Sequence, residues 1–182
     1  MSSFTKLINP CSDNYKQFKN ILLSYSIPWY FYPKTTPKID NHSNYMDAPY
    51  YGHTLLERPQ WENQELLFPQ QKSELLNSFN TILREIIVHN NLNFNCLMRA
   101  SANCVHPQQS VQSTIPHYDH QFPHTNLIIY LTDAGGETIV FDKENNKELF
   151  DPSEDDIVIF KGLHCMNTPK IKPRIILIAT YI

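Results

Sequence analysis

Apolar residues recur at helical spacing in two stretches of the N-terminal half. In "QKSELLNSFNTILREIIVHN" (71–90), Leu75, Leu76, Phe79, Ile82, Leu83, Ile86 and Ile87 form one broad face, which predicts the strongest helix. In 12–26, Tyr15, Phe18, Ile21 and Leu22 keep the same period behind Ser12 or Asp13 as N-cap, and Pro28 stops the helix. "IPWYFYPKTTP" is aromatic and bracketed by prolines, so it reads as extended chain. The stretch from 35 to 63 is polar, has no period and reads as a lid or an embellishment on the core. Beyond residue 92 the pattern changes to short strands at 94–99, 111–118, 125–132, 137–141, 147–150, 156–160, 163–167 and 174–181, punctuated by Gly, Asn, Asp and Pro. Two helices and then about eight strands predict an α+β fold, a jelly roll with N-terminal helices packed on one sheet. There is no internal repeat and no linker. The expectation is one domain over 1–182, with 1–92 as helical support and possible lid and 93–182 as the jelly-roll core.

Composition narrows this picture a little. With 41% hydrophobic and 18% charged residues the chain has an ordinary globular balance, and 182 residues suffice for one real core. A net charge of -3 gives no general attraction to nucleic acid or to a membrane surface. No apolar run approaches the ~20 residues of a membrane span, and "MSSFTKLINP" lacks the apolar run of a signal peptide, so a soluble cytoplasmic protein is expected. Cys11, Cys96, Cys104 and Cys165 form no CxxC pair and read as free thiols, with Cys165 in the core. Glycine is scarce, so the pair Gly135-Gly136 in "DAGGET" marks a demanding turn, and no helix follows it to present an N-terminus to phosphate. "KENNKELFDPSEDD" reads as a solvated hairpin, and Trp29 and Trp61 as packing.

The candidate chemistry lies in the strands. "PRIILIATYI" is apolar except for Arg174 at its start, and the nearest acidic residue, Asp156, is 18 positions earlier. A guanidinium at the mouth of a hydrophobic strand needs an anion, either a distant carboxylate or a ligand. His164 stands ten residues before it, in a segment that reads as strand, turn, strand, so a hairpin would set His164 and Arg174 on neighbouring strands. "TIPHYDHQFPHT" gathers His117, His120 and His124 around Asp119. Along a strand His117 and Asp119 project to one face, and a third ligand from another strand would complete a two-histidine, one-carboxylate set with open positions. An H-x-D alone is a weak signal. Followed by a histidine 45 residues after its aspartate and by an arginine ten residues later on an apolar strand, it is a strong one. His120 and His124 are secondary candidates for contact with substrate or cofactor. Arg99 either pairs with an acidic residue or lines the pocket.

With these residues the chain resembles the Fe(II)- and 2-oxoglutarate-dependent oxygenases. Within them it is similar to the small prolyl-hydroxylase-like members, several of which are carried by marine bacteriophages. "HYD", "IIYLTDAGGETIVF", "DIVIFKGLHCMNTP" and "PRIILIATYI" stand in family order from about residue 94 onward, and "IPWYF" resembles the phage members. The resemblance implies a double-stranded β-helix with His117, Asp119 and His164 as iron ligands and Arg174 on the distal carboxylate of 2-oxoglutarate. It also implies that Tyr130 bonds that carboxylate and that Asn103 falls at a cofactor-contacting position. The family's chemistry uses O2, releases succinate and hydroxylates a substrate C–H, with ascorbate in support. "RASANCVH" matches its family segment only loosely, and some prolyl hydroxylases carry lysine where this chain has Arg174.

The expected substrate is a prolyl residue in a peptide or protein. The few Lys/Arg clusters disfavour nucleic acid, and the aromatics of "PWYFY" and "APYYGH", with only Lys34 and Lys38 nearby, would wall a proline-containing strand. A small-molecule substrate stays open, and the sequence does not fix an oligomeric state. Two other classes compete: a zinc-dependent or cupin-like metal protein using the same three ligands, and a non-catalytic sandwich in which His117 and His164 are surface polar groups.

Overall fold

The computed structural model describes residues 3–24, 26–35, 47–59, 68–109 and 112–182. Among these residues two helices, α1 (Asp13–Leu23) and α2 (Leu75–His89), lie among eleven strands. These are β1 (Phe4–Leu7), β2 (Tyr30–Tyr32), β3 (Tyr50–Glu57), β4 (Gln70–Gln71), β5 (Leu97–Val105), β6 (Thr125–Tyr130), β7 (Thr138–Phe141), β8 (Lys147–Phe150), β9 (Ile157–Phe160), β10 (His164–Met166) and β11 (Arg174–Tyr181). The large sheet runs β1-β9-β6-β11-β5-β3-β2, with β4 on β3, and a small sheet runs β10-β7-β8. Every pairing is antiparallel.

The large sheet is covered on both faces, which explains why β6 and β11 read as nearly continuous apolar runs. On one face Leu127, Ile129, Leu177, Ala179 and Tyr181 pack with Tyr15, Phe18 and Leu22 of α1 and Leu76, Phe79, Ile82, Leu83 and Ile86 of α2. On the other face the alternate residues Ile128, Tyr130, Ile176 and Ile178 join Val140 of the small sheet with Phe4, Val158 and Phe160. The period of two thus divides each strand between two cores. Helix α1 begins at Ser12, whose side chain accepts from the Tyr15 amide at 3.1 Å. Its end falls at Ser24, ahead of Pro28. Helix α2 starts at Leu75, the first residue of its apolar face and four residues into the stretch read as helical, and Gln70 and Gln71 ahead of it pair with Glu57 and Leu56.

Several expectations require correction. Of the strand expected at 111–118, the described residues 112–118 do not form a regular strand. Ser113 bridges Asn167 and His117 bridges His164, four residues on one side against three on the other, and Pro116 between them has no N–H to give. The first expected strand is longer and later, at 97–105. His164 and Arg174 do not sit on a hairpin: β10 pairs with β7, whereas β11 pairs with β5 and β6, so the chain crosses from one sheet to the other between them. The N-terminal half is not only helical, since it supplies β1 to β4, and β3 lies within the stretch read as irregular. The acidic run at 154–156 is not simply solvated. Lys19 reaches Glu154 and Asp155, both at 2.6 Å, and Lys6 reaches Asp156 at 2.7 Å. Trp29 packs partly buried against the helix-side core, and Trp61 lies outside the described residues.

The Gly135-Gly136 turn joins β6 to β7 at positive φ, +67° and +78°. A Cβ on Gly136 would lie 2.8 Å from the Asn167 carbonyl oxygen and 3.0 Å from Arg174 Cδ, whereas one on Gly135 meets nothing. Gly135→Ala should cost about 1–2 kcal/mol, the usual penalty of a left-handed backbone. Gly136→Ala should cost clearly more and disturb Arg174. Urea denaturation of both variants checks this, and equal losses would contradict the close approach.

Candidate metal centre

A cavity of about 1480 Å³ opens between the two sheets, and the candidate residues converge on it. His117 and Asp119 come from the irregular segment beside β10, and His164 starts β10 itself. One ligand atom from each of the three can be chosen so that all lie within 4.8 Å of one another, and His164 Nε2 is 3.6 Å from Asp119 Oδ2. Asp119 and His164 are buried and His117 is half-buried.

The hydrogen bonds around these groups fix their chemistry. His117 donates its Nδ1–H to the Ile115 carbonyl at 3.0 Å, and His164 donates its own to the Gly162 carbonyl at 3.1 Å. A carbonyl only accepts, so in the neutral ring each Nε2 keeps its lone pair. Burial, with His117 beside it, pulls the His164 pKa down to about 4, so that ring is neutral near pH 7. Burial alone would raise the Asp119 carboxyl, but Arg99 and Arg58 overcome it and hold the group well below the usual carboxylate range. Arg99 Nη1 donates to Asp119 Oδ1, Arg58 Nη2 donates to the same oxygen at 3.1 Å, and Arg58 Nη1 donates to the Asp119 carbonyl at 2.5 Å. Oδ2 is buried and has no partner. Two imidazole lone pairs and one orphaned carboxylate oxygen are the donor set of a cation, and they fit a divalent transition metal.

Arg174 reaches the same cavity from β11. It is 2% exposed, its guanidinium carbon lies 5.2 Å from the Tyr130 ring centroid, and Nη2 donates to Thr138 Oγ1 at 3.0 Å. Nη1 meets Met166 Sδ at 3.1 Å, and Nε is buried without a partner. Among the described residues no carboxylate pairs with it, and Asp156 is taken by Lys6. Burial therefore lowers its pKa, opposed by Tyr130. Tyr130 is fully buried behind Thr138, to which its hydroxyl bonds at 2.7 Å, and it is not among the residues lining the cavity. Asn103 does line the cavity, and its Oδ1 accepts from Ser101 Oγ at 2.9 Å.

Thr138 and Arg58 escaped the reading of the sequence. Thr138 is one threonine among several in the strands, and Arg58 stands in a stretch without period, 61 residues from its partner Asp119. Arg99 proves to do both things expected of it, pairing with Asp119 while lining the cavity. His120 and His124 are buried. His120 Nε2 pairs with Thr180 Oγ1 at 2.7 Å, and its ring meets those of Phe122 and His124 with centroids 4.6 and 4.8 Å away. Burial pushes the Cys165 thiol up to about 12, which leaves it no nucleophile.

By sequence, no family model and no curated protein matches the chain. By structure, many do. A 2OG-Fe(II) oxygenase family oxidoreductase from Burkholderia pseudomallei superposes with a TM-score of 0.71 at 14% identity, over 98% of this chain and 84% of that one. The chain has the fold of these oxygenases. A prolyl hydroxylase from Trichoplax adhaerens, solved with a hypoxia inducible factor peptide fragment, gives 0.59 at 14% identity over 99% and 83%. The non-heme α-ketoglutarate-dependent epimerase SnoN from nogalamycin biosynthesis gives 0.60 at 10% over 99% and 77%. The expected jelly roll is thus observed. No helix among the described residues is long and apolar enough to cross a membrane.

The depressed histidines make the fold acid-sensitive. Burial, with Arg58 next, lowers His120 to about 3, beside His164 at about 4. Between 6.5 and these values the unfolded chain binds more protons than the folded one, so stability is complete above about 6.5 and is lost as pH falls. Asp119, held low, adds its own loss only at more acid pH, below its ordinary value of 3.8. The urea midpoint of the metal-free protein should therefore fall steadily from pH 7 to pH 5, and a flat profile would contradict the buried neutral rings.

Proposed function

We propose that the protein is an Fe(II)- and 2-oxoglutarate-dependent dioxygenase. One observation carries the reading: a fully buried arginine that pairs with no carboxylate among the described residues shares a cavity with a His–Asp–His group. His117, Asp119 and His164 are the iron ligands, and Arg174 with Thr138 takes the far carboxylate of 2-oxoglutarate. Tyr130 steadies both from behind, and Asn103 lines the path between. When bound, iron and 2-oxoglutarate supply the oxidising chemistry, one atom of O2 entering succinate and the other the substrate. The chain's own residues do the rest. The two backbone-anchored imidazoles orient their Nε2 lone pairs, Arg58 and Arg99 keep Asp119 ionised, and the two sheets exclude water.

The substrate we assign is a prolyl residue in a peptide. Two of the proteins sharing the fold are prolyl hydroxylases. Tyr32 and Tyr50 on the cavity wall stack at 4.9 Å with 12° between their planes, a flat face for a pyrrolidine ring. A zinc hydrolase built on the same ligands gives no use for Arg174, whose burial without an anion would then be pure cost. Succinate release from 2-oxoglutarate with iron and ascorbate tests the reading directly, and its absence with iron loaded would end it.

His117→Ala or Asp119→Ala should abolish iron retention while leaving the fold largely intact. Full iron content in both after anaerobic loading and metal analysis would overturn the ligand assignment. Arg174→Ala should weaken 2-oxoglutarate by about 2–5 kcal/mol, the usual loss for a buried charge-assisted contact. Arg174→Lys should recover part of it, keeping the charge and losing the fork. Unchanged calorimetric affinity in the alanine variant would place the clamp elsewhere.

A further inference from the structure

Beside the metal centre the cavity carries an imbalance of charge. A guanidinium has five N–H donors. Arg58 spends two of them on Asp119 and Arg99 spends one. Both side chains line the cavity and keep 34% and 13% of their surface exposed. Between them they share one carboxylate oxygen. Glu57, also on the wall, is held by Lys72 at 2.9 Å. Among the described residues, a dication, the Asp119 carboxylate, a dianionic cofactor and the guanidiniums of Arg58, Arg99 and Arg174 would together sum to a net charge of about +2. Lys34 and Lys161 on the cavity wall only add to it. With Arg174 assigned to the cofactor, the surplus belongs to Arg58 and Arg99, which keep part of their surface exposed whereas Arg174 is buried. Like charges held together in a partly dry site cost free energy until an anion joins them.

The same wall says what else that anion is attached to. The stacked Tyr32–Tyr50 pair lines the same cavity as the arginines, and Arg99 and Arg58 oppose the upward shift that burial gives the Tyr50 hydroxyl. A cavity of about 1480 Å³ also exceeds what a drug-sized ligand needs, about 300–1,000 Å³. An aromatic face next to a double guanidinium suits an extended chain with an apolar ring followed or preceded by a carboxylate.

We infer that Arg58 and Arg99 form a subsite for a substrate carboxylate, and that the substrate is a peptide with an acidic residue beside the target proline. This rests on the dioxygenase reading above and narrows it. Arg58 thereby joins two tasks, positioning Asp119 and reading the substrate.

The test is a charge series. Fluorescein-labelled peptides of one length, with glutamate, glutamine or lysine beside a single proline, are titrated anaerobically into protein loaded with Fe(II) and 2-oxoglutarate, and anisotropy is read. The glutamate peptide should bind about tenfold tighter than the glutamine peptide, and the lysine peptide should not saturate. Added salt should narrow the gap. Arg58→Gln should erase most of the preference for glutamate, and the wild-type series stands on its own if that variant fails to fold. Equal binding of the three peptides, no binding of the glutamate peptide, or a preference that survives in folded Arg58→Gln overturns the inference. Peptide-free succinate formation separates the two levels. If it persists, only the carboxylate subsite falls; if it is absent too, the dioxygenase reading falls with it.

Discussion

A carboxylate shut away from water between two sheets must be neutralised or paired, and in this protein Asp119 is paired on one oxygen only. Arg58 and Arg99 converge on Oδ1 and leave Oδ2 buried and bare. That asymmetry organises the site. With both oxygens bonded to guanidiniums, Asp119 would be an internal salt bridge of no chemical use. With neither bonded, burial would push its proton back on. Half engagement keeps the group ionised, fixes its rotamer and presents one oxygen to whatever cation His117 and His164 also face. The two imidazoles are held the same way, each tied by Nδ1 to a backbone carbonyl two residues earlier in the chain.

The architecture exists to hold such groups dry. The large sheet is sandwiched between α1 and α2 on one face and the small sheet on the other, so its central strands bury both faces. Arg174 is tolerated in that interior because Thr138, Met166 and the Tyr130 ring receive it, and because Gly136 leaves room for its stem. Among the described residues no carboxylate pairs with it. A chain that buries a cation so thoroughly gains nothing from it in stability, which points to function as the reason it is there.

Much of this was legible in the sequence, and what was not has physical causes. The helical faces and the apolar runs of β6 and β11 announce themselves because periodicity and double-sided burial act locally. His117, Asp119 and His164 stand out through spacing, and Arg174 through its isolation on an apolar strand. The relation of His164 to Arg174 was misread because Pro169 and Pro173 suit a turn within one sheet as well as a crossing between two. The segment at 113–117 looks like a strand in composition, but its pairing slips by one residue around Pro116. Arg58 was invisible because its role depends wholly on a partner 61 residues away. Tyr130, expected at the cofactor, does not line the cavity and bonds Thr138 instead, a partner that alternation along β6 could not reveal.

The central claim is that Arg174 and the His–Asp–His group serve one ligand system from its two ends. Thermal unfolding measured anaerobically with Fe(II) alone, with 2-oxoglutarate alone and with both tests this most directly. If the cofactor bridges the metal and Arg174, each ligand strengthens the other's binding, and the two together raise Tm by more than the sum of their separate shifts. Strictly additive shifts, or none from 2-oxoglutarate in the presence of the metal, would contradict it.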